Sequence, residues 1–394
     1  MILKVNPMID KKARIGRYLE STPVAGERFK VYVPKFLPVD PPVDLFSSFE
    51  LLDKANTALG RLDGMHQLLP DPALFLYMYV RKEAVLSSQI EGTQSSLSDL
   101  LLYEDGNEAQ VSIDDVREVS SYVDAMHYGM ERLDTLPLSL RLLREIHEKL
   151  MSNSRGRDKQ PGEFRRSQNW IGGTRPGNAA FVPPPIEQMH ACLDNFEKFL
   201  HDETIKLPIL VKAAIAHIQF ETIHPFLDGN GRLGRLLITL MLCADGILRQ
   251  PLLYLSLFFK THRNDYYQHL QNVRETGDFE SWIDFFLTGV IKTAEQATDT
   301  AQKLLSLFRA DLDLIEKSNK GTASLHAIFN YLKKHPLCNT TDIKNGCDVS
   351  LPTVIRSLEQ LESLDIVREI TGKGRHKIFA YDRYLALLSS GLDG

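Results

Sequence analysis

The sequence predicts a mainly α-helical protein with one small β-hairpin and a separate C-terminal module. Apolar residues recur at helical spacing over most of residues 45–308. Two stretches are apolar almost all round, and strands do not alternate with helices as a parallel sheet requires. A chain of 394 residues exceeds what one compact domain usually needs, so two or three domains are expected.

Residues 1–44 are mixed in charge and end Pro-rich (VPKFLPVDPPVD), which reads as an extended arm packed along a neighbouring domain. Helices follow at 45–69 and 72–94. Asp71 caps the second, Pro72 takes its first position and Gly92 stops it. Asp114 to Leu133 and Ser139 to Met151 are two more, the latter with Leu140, Leu143, Ile146 and Leu150 on one side. Between Gly162 and Pro185, Trp170-Ile171-Gly172-Gly173 and Ala180-Phe181-Val182 flank a turn-rich tip at Thr174–Asn178, the pattern of a β-hairpin. Three prolines at 183–185 launch a helix whose inner face is Ile186, Met189, Leu193, Phe196 and Leu200. Leu207–Thr222 is interrupted only by Lys212 and Gln219 and should be the buried central helix; Leu233–Asp245 is a second apolar helix. Gly321 marks a change of style. From there HAIFNYLKKHP, TDIKNGCD, SLPTVIRSLEQLESLDIV and REITGKGRHKIFAYDRY read as helix, short helix, longer helix and a hairpin turning at Gly372–Gly374, the order of a winged helix-turn-helix.

Composition is ordinary for a globular protein, and the formal charge of −5 excludes a global basic field that would draw in nucleic acid or an anionic membrane. The four cysteines (Cys192, Cys243, Cys338, Cys347) lack CxxC spacing, which points to reduced thiols in a cytoplasmic protein and against a structural zinc. The first residues contain no apolar signal segment, and no stretch is long and apolar enough for a membrane span.

The two apolar helices are joined by His224-Pro225-Phe226-Leu227-Asp228-Gly229-Asn230-Gly231-Arg232-Leu233-Gly234-Arg235. Gly229 and Gly231 allow close approach to a ligand, and the N–H groups of the helix that begins there make an anion site, for which phosphate is the natural guest. Arg232 and Arg235, three apart, can grip successive phosphates. Asp228 suits Mg²⁺, which takes one or two carboxylates plus substrate phosphates, and His224 can accept a proton from an incoming hydroxyl. Simpler readings compete. A GxGxxG match is present, but a dinucleotide fingerprint must follow a strand and here a helix precedes it. A calcium loop would start at Asp228, yet its fifth and twelfth positions are Arg232 and Thr239. Glu187-x-x-His190 and Glu221-x-x-His224 imitate a di-iron bundle, but the first pair lies opposite the apolar face of its helix. A merely polar loop leaves two arginines unexplained between very apolar helices, where an unpartnered charge costs several kcal/mol.

The twelve residues HPFLDGNGRLGR match the motif of the Fic family at every specified position, and the chain resembles that family over about residues 45–290. The resemblance implies transfer of AMP from ATP to a Ser, Thr or Tyr hydroxyl of a target protein, or of the protein itself. It makes His224 the general base and Asp228 the Mg²⁺ ligand. Gly229, Asn230, Gly231, Arg232, Leu233, Gly234 and Arg235 become the nucleotide-binding segment, and the hairpin at 162–185 becomes the flap that aligns the target. Asp265-Tyr266-Tyr267, followed by Glu275-x-Gly277-Asp278, is similar to the family's nucleoside pocket, with Tyr266 beside the adenosine. Upstream, Ser87-Ser88-Gln89-Ile90-Glu91-Gly92 resembles its inhibitory motif: Glu91, helped by Ser87, would occupy Arg235 and deny it to the γ-phosphate. The expected domains are then 1–110 (arm and inhibitory helices), 111–300 (Fic catalytic domain) and 301–394 (linker helix and winged helix). A homodimer is also implied.

From Lys333 onward nine basic residues face eight acidic ones, too balanced for a strong DNA binder, so a protein-docking role is favoured for the C-terminal module. Its longer helix offers Ser350, Thr353, Arg356 and Glu359, and only the turn at Gly372–Lys377 is locally basic. Three functions follow: an autoinhibited adenylyltransferase first, a hydrolase that removes AMP with water positioned by Glu91 second, and a nucleotide-sensing DNA-binding regulator third.

Overall fold

The computed structural model describes residues 10–21, 28–68, 72–104, 111–152, 158–318, 321–371 and 377–389, and helices dominate them. A 3₁₀ turn at Lys11–Arg14 and an antiparallel pair, β1 (Arg17–Ser21) and β2 (Phe29–Val33), come first. Then follow α1 (Phe49–Leu68), α2 (Pro72–Ile90), α3 (Leu97–Glu104), α4 (Ile113–Leu133), α5 (Leu140–Met151), α6 (Ile186–His201), α7 (Ile209–Ile223) and α8 (Asn230–Ala244). The helical part closes with α9 (Ser256–Thr261), α10 (Arg263–Thr276) and the long α11 (Phe279–Lys317).

Local chemistry sets these boundaries. Ser139 caps α5 by accepting a hydrogen bond from Leu142 N at 3.3 Å, and Asp278 caps α11 by accepting from Ser281 N at 3.3 Å. From Leu210 to Ile223 every residue of α7 except Lys212 is buried. Each large apolar side chain gains about 1.5–3 kcal/mol on leaving water, so an all-apolar helix has no stable place but the centre. There α7 packs against α6, α8 and α11, and Trp282 of α11 donates its indole N–H to Ala214 O at 2.8 Å. Lys212 escapes along the surface to Leu200 O at 2.9 Å.

Beyond α11 come α12 (Ala323–Lys334), β3 (Leu337–Asn339), α13 (Thr340–Cys347), α14 (Leu351–Ser363), β4 (Arg368–Glu369), β5 (Ile378–Ala380) and α15 (Asp382–Ser389). The strands form an antiparallel sheet in the order β3-β5-β4. The helix, short helix, longer helix and hairpin read from the sequence are all present, with β3 and α15 in addition. Ser350 and Thr353, read as exposed polar residues of the longer helix, are engaged in its N-terminal cap: Ser350 Oγ accepts from Thr353 N, and the two hydroxyls lie 2.8 Å apart. Residues 372–376, most of the basic turn, lie outside the described residues, as does Asp71.

Several expectations need correction. The arm is not merely extended, because Phe29, Val31, Tyr32 and Val33 are buried, only Lys30 between them is exposed, and together they build β2. It does pack along the helical body: Lys11 pairs with Asp278 at 2.6 Å, and buried Arg14 pairs with Glu280 at 2.8 Å. Helix α3 was not anticipated. The hairpin at 162–185 is reduced to one bridge, Ile171↔Phe181. Gly172 and Gly173 both take positive φ, the tip is a 3₁₀ turn at Pro176–Asn178, and Val182 O turns outward to accept from Tyr32 N of β2 at 2.9 Å. The arm's strand thus replaces the rest of the hairpin ladder. Finally, α11 runs without a break through residue 300, where a domain limit was expected.

The C-terminal module is fastened to α11 by Asp311, which is fully buried and accepts from Tyr381 Oη at 2.5 Å and from Arg383 at 2.8 Å. Asp311→Ala is expected to cost about 1–3 kcal/mol locally, by leaving a buried hydroxyl and a guanidinium unpaired. Limited proteolysis should then release the module faster while leaving residues 49–318 intact; unchanged cleavage would contradict this attachment.

Candidate active site

The segment between α7 and α8 is held from several directions. His224 ends α7 in the left-handed conformation, φ 48° and ψ 62°, an uncommon position for a non-glycine residue and one that turns the chain out of the helix. Its carbonyl accepts from Arg165 Nε at 3.0 Å and from Asn169 Nδ2 at 3.4 Å. Asn230 clamps the loop with two reciprocal bonds, accepting from Phe226 N at 2.9 Å and donating to Phe226 O at 2.8 Å. His147 of α5 accepts from Gly162 N at Nδ1, 2.9 Å, so its Nε2–H is the donor to Asp228 O at 3.0 Å. Its ring stacks on Phe226 with centroids 3.8 Å apart.

The backbone then enters α8 through Gly229, φ 76°, where a Cβ would strike Met151 Sδ. The first N–H groups of α8 face this turn without partners inside the helix. Asp228 stands beside them half exposed, with Oδ1 accepting from Gly229 N at 2.6 Å. Leu233 is buried, so only its backbone can reach a ligand, and Gly234 O accepts from His217 Nδ1 at 2.9 Å.

The two arginines of the segment part company. Arg235 is buried and points to α2: Nε donates to Ser87 Oγ at 2.9 Å, while Nη2 reaches Ser87 O at 3.0 Å and Glu91 Oε1 at 2.6 Å. Glu91 remains about a third open, 36%, and a Cβ on Gly231 would run into its carboxylate. Desolvation opposes its charge, but Arg235, Arg232 and His224 together hold its carboxyl below the usual range. Arg232 turns to α4 and α5, pairing with Glu118 at 2.9 Å and lying 3.6 Å from Asp228. Its buried Nε has no hydrogen-bond partner, a donor left over for a ligand.

His224 Nδ1 lies 3.3 Å from Glu221 O, which places the ring proton there and leaves Nε2 with the free lone pair. Burial, then Arg165, lowers its pKa to about 4, so the imidazole is neutral near pH 7. Burial also raises Glu221 to about 7; its Oε1 has no hydrogen-bond partner and its Oε2 is 3.9 Å from His224 Nδ1.

Tyr266 needs correction. It is 1% exposed, its hydroxyl donates to His217 Nε2 at 2.8 Å, and it stacks on Phe259 with centroids 4.5 Å apart. Enclosed in this way, it offers no face to a nucleoside. Tyr267, 41% exposed and within electrostatic reach of Glu91 and Arg235, has the open ring. The sequence reading missed His147 and Arg165, and met Glu221 only as half of the di-iron imitation it set aside. Only Glu221 carried a signal, as a carboxylate inside the most apolar helix of the chain.

Among the described residues no group of three or more His, Cys, Asp or Glu could hold a metal ion. The half-exposed Asp228 carboxylate fits Mg²⁺ only in the form that brings its own phosphate ligands. No helix among the described residues is long and apolar enough to cross a membrane.

Known proteins resemble this chain in sequence and in fold. Residues 49–131 match the Fic/DOC family N-terminal model and residues 137–242 the Fic/DOC family model. The protein adenylyltransferase Fic of Aedes aegypti is 31% identical over 246 residues, which is 60% of this chain and 45% of that relative; the Culex quinquefasciatus protein of the same name gives the same figures. The chain thus spans about half the length of the curated relatives it matches. A Fic family protein from Desulfovibrio desulfuricans G20, 20% identical, matches 86% of this chain and 97% of its own with a TM-score of 0.56, a likeness of fold.

His224 is expected to titrate near pH 4 rather than near 6.5, followed by NMR with the resonance assigned through His224→Ala. A midpoint at 6 or above would contradict the buried, cation-flanked environment.

Proposed function

Residues 49–131 and 137–242 carry the N-terminal region and the core of the Fic/DOC family, and on that premise we propose that the protein transfers AMP from ATP to a protein hydroxyl, its own included. One observation carries the reading: a neutral histidine opens the same turn that presents the α8 N-terminus and a buried guanidinium. In the proposed step a Ser, Thr or Tyr hydroxyl gives its proton to His224 Nε2 as its oxygen attacks the α-phosphorus. The new P–O bond forms as the bond to the bridging oxygen breaks, and pyrophosphate leaves. The backbone N–H groups from Gly229 to Gly231 would take up negative charge on the phosphates, and Arg235 with Arg232 Nε would hold the outer ones. Mg²⁺ would sit on Asp228 and neutralise phosphate charge. Tyr267 would stack on the base.

Glu91 is the brake in this reading. Its carboxylate takes the guanidinium that the γ-phosphate needs and leans on Gly231, so ATP bound beside it is displaced from the attacking line. The C-terminal module is proposed as a docking element for the target. The outer side of α14 exposes Leu351 and Ile355, an apolar pair suited to protein contact rather than to phosphates.

Glu91→Gly should raise incorporation of label from α-labelled ATP by about tenfold or more. Equal incorporation would argue against the brake, and loss of AMP from a modified target only when Glu91 is present would favour the hydrolase instead. His224→Ala in the Glu91→Gly background should lower transfer by about 10²–10⁴ with ATP affinity little changed. A folded variant that no longer binds ATP would contradict the role given to His224.

A further inference from the structure

A carboxylate outside the motif extends the polar face of α2 below the brake. Glu83 lies four residues before Ser87 and eight before Glu91, so the three share one side of the helix at steps of about 6 Å. Glu83 is buried, 3% exposed, and saturated with donors. Its Oε2 accepts from Ser256 N at 3.1 Å; its Oε1 accepts from the Ser256 hydroxyl and from Tyr122 Oη at 3.3 Å. Tyr122 also lies beside Ser87, whose hydroxyl accepts from Arg235 Nε at 2.9 Å. A continuous polar chain therefore runs from the start of α9 through Glu83, Tyr122 and Ser87 to Arg235 and Glu91.

The backbone N–H of Ser256 cannot follow a rotation of α2, because α9 is fixed by Phe258 and Phe259 in the core. Turning α2 by a single residue, about 100°, would break the Glu83 bonds and at the same time carry Glu91 off Arg235. Glu83 is the one carboxylate within α2; Tyr79 and Arg81 tie the helix elsewhere, to Ala297 O of α11 and to Glu104 of α3. A buried carboxylate is costly unless fully hydrogen-bonded; here it accepts from the buried Ser256 N–H at the start of α9, a donor that an apolar residue would leave unpaired, so α2 is tied to α9 by directed bonds and not by packing alone.

We infer that Glu83 is the positioning residue that fixes the rotation and height of α2 so that Glu91 meets Arg235. It contacts neither nucleotide nor target and acts only through the brake, so the inference rests on the reading of Glu91 given above.

The test compares automodification with α-labelled ATP by the full chain as wild type, Glu91→Gly, Glu83→Ala and the double variant. Glu83→Ala should raise incorporation about fivefold or more, and the double variant should not exceed Glu91→Gly, because both substitutions release one brake. Glu83→Gln, whose amide oxygen still accepts from Ser256 N, should stay near the wild-type rate. Ser256→Ala, a milder cut in the same chain, should give an intermediate rise and serves where Glu83→Ala does not fold. If Glu91→Gly activates but neither Glu83→Ala nor Ser256→Ala does, the positioning role is wrong while the brake stands. Activity that falls in both backgrounds would likewise overturn it, marking Glu83 as purely structural. If Glu91→Gly itself fails to activate, the brake falls and this inference with it.

Discussion

Arg235 is a guanidinium buried in a helical interior, and the arrangement around it follows from that fact. Its partners all come from α2 and the residue that follows it: the hydroxyl and carbonyl of Ser87 and the carboxylate of Glu91. Leaving such a cation unpaired costs several kcal/mol, so α8 can pack on α2 only if α2 presents oxygen to it. This explains why α2, although buried over most of its length, keeps a polar side. The same demand allows for exchange. A phosphate brings oxygens of equal charge and geometry to the same place, and a guanidinium that accepts one partner accepts the other.

The surroundings confine that exchange to one side chain. The loop from His224 to Gly229 is fastened by Asn230, His147, Arg165 and Asn169, most of them buried and each bonded to backbone. Glu91, by contrast, lies just past the end of α2, about a third open, and holds its place by an ion pair at 2.6 Å. Groups that must be positioned for chemistry are over-determined, while the group proposed to move is held at one end only.

How far the sequence discloses this site depends on whether a feature is local. His224, Asp228, Gly229 and Arg235 stand within twelve residues, and their chemistry is legible because a glycine turn entering an apolar helix leaves few other uses for charge. The Glu91–Arg235 contact, 144 residues apart, is legible only through the resemblance of a second short motif. His147, Arg165 and Glu83 reach the site from α5, the loop after it and α2, and nothing in their neighbours along the chain separates them from ordinary surface polarity. Tyr266 and Tyr267 show the limit most plainly. Adjacent residues of a helix point about 100° apart, so one ring enters the core and the other the cleft, and the pair YY does not say which. The same holds for β2, whose five residues are too short a run to stand out against the proline-rich arm that follows them.

The distribution of charge reverses the impression left by the formal −5 of the chain. Arg165 and Arg274 are buried close to His224, and neither forms an ion pair among the described residues. Arg165 donates to the carbonyls of His224, Pro184 and Ser167, while Arg274 lies over the Phe181 ring at 3.8 Å and reaches Thr222 Oγ1 at 3.3 Å. Carbonyls and an aromatic face satisfy a guanidinium without cancelling its charge, so a local positive excess stays at these two arginines. That excess does two things at once. With burial, it lowers the pKa of His224 to about 4, which keeps the imidazole unprotonated and able to accept a proton near neutral pH. It also favours any anion that enters the turn at the start of α8. Had carboxylates neutralised these two arginines, the histidine would be more basic and more often already protonated, and the turn would attract phosphate less.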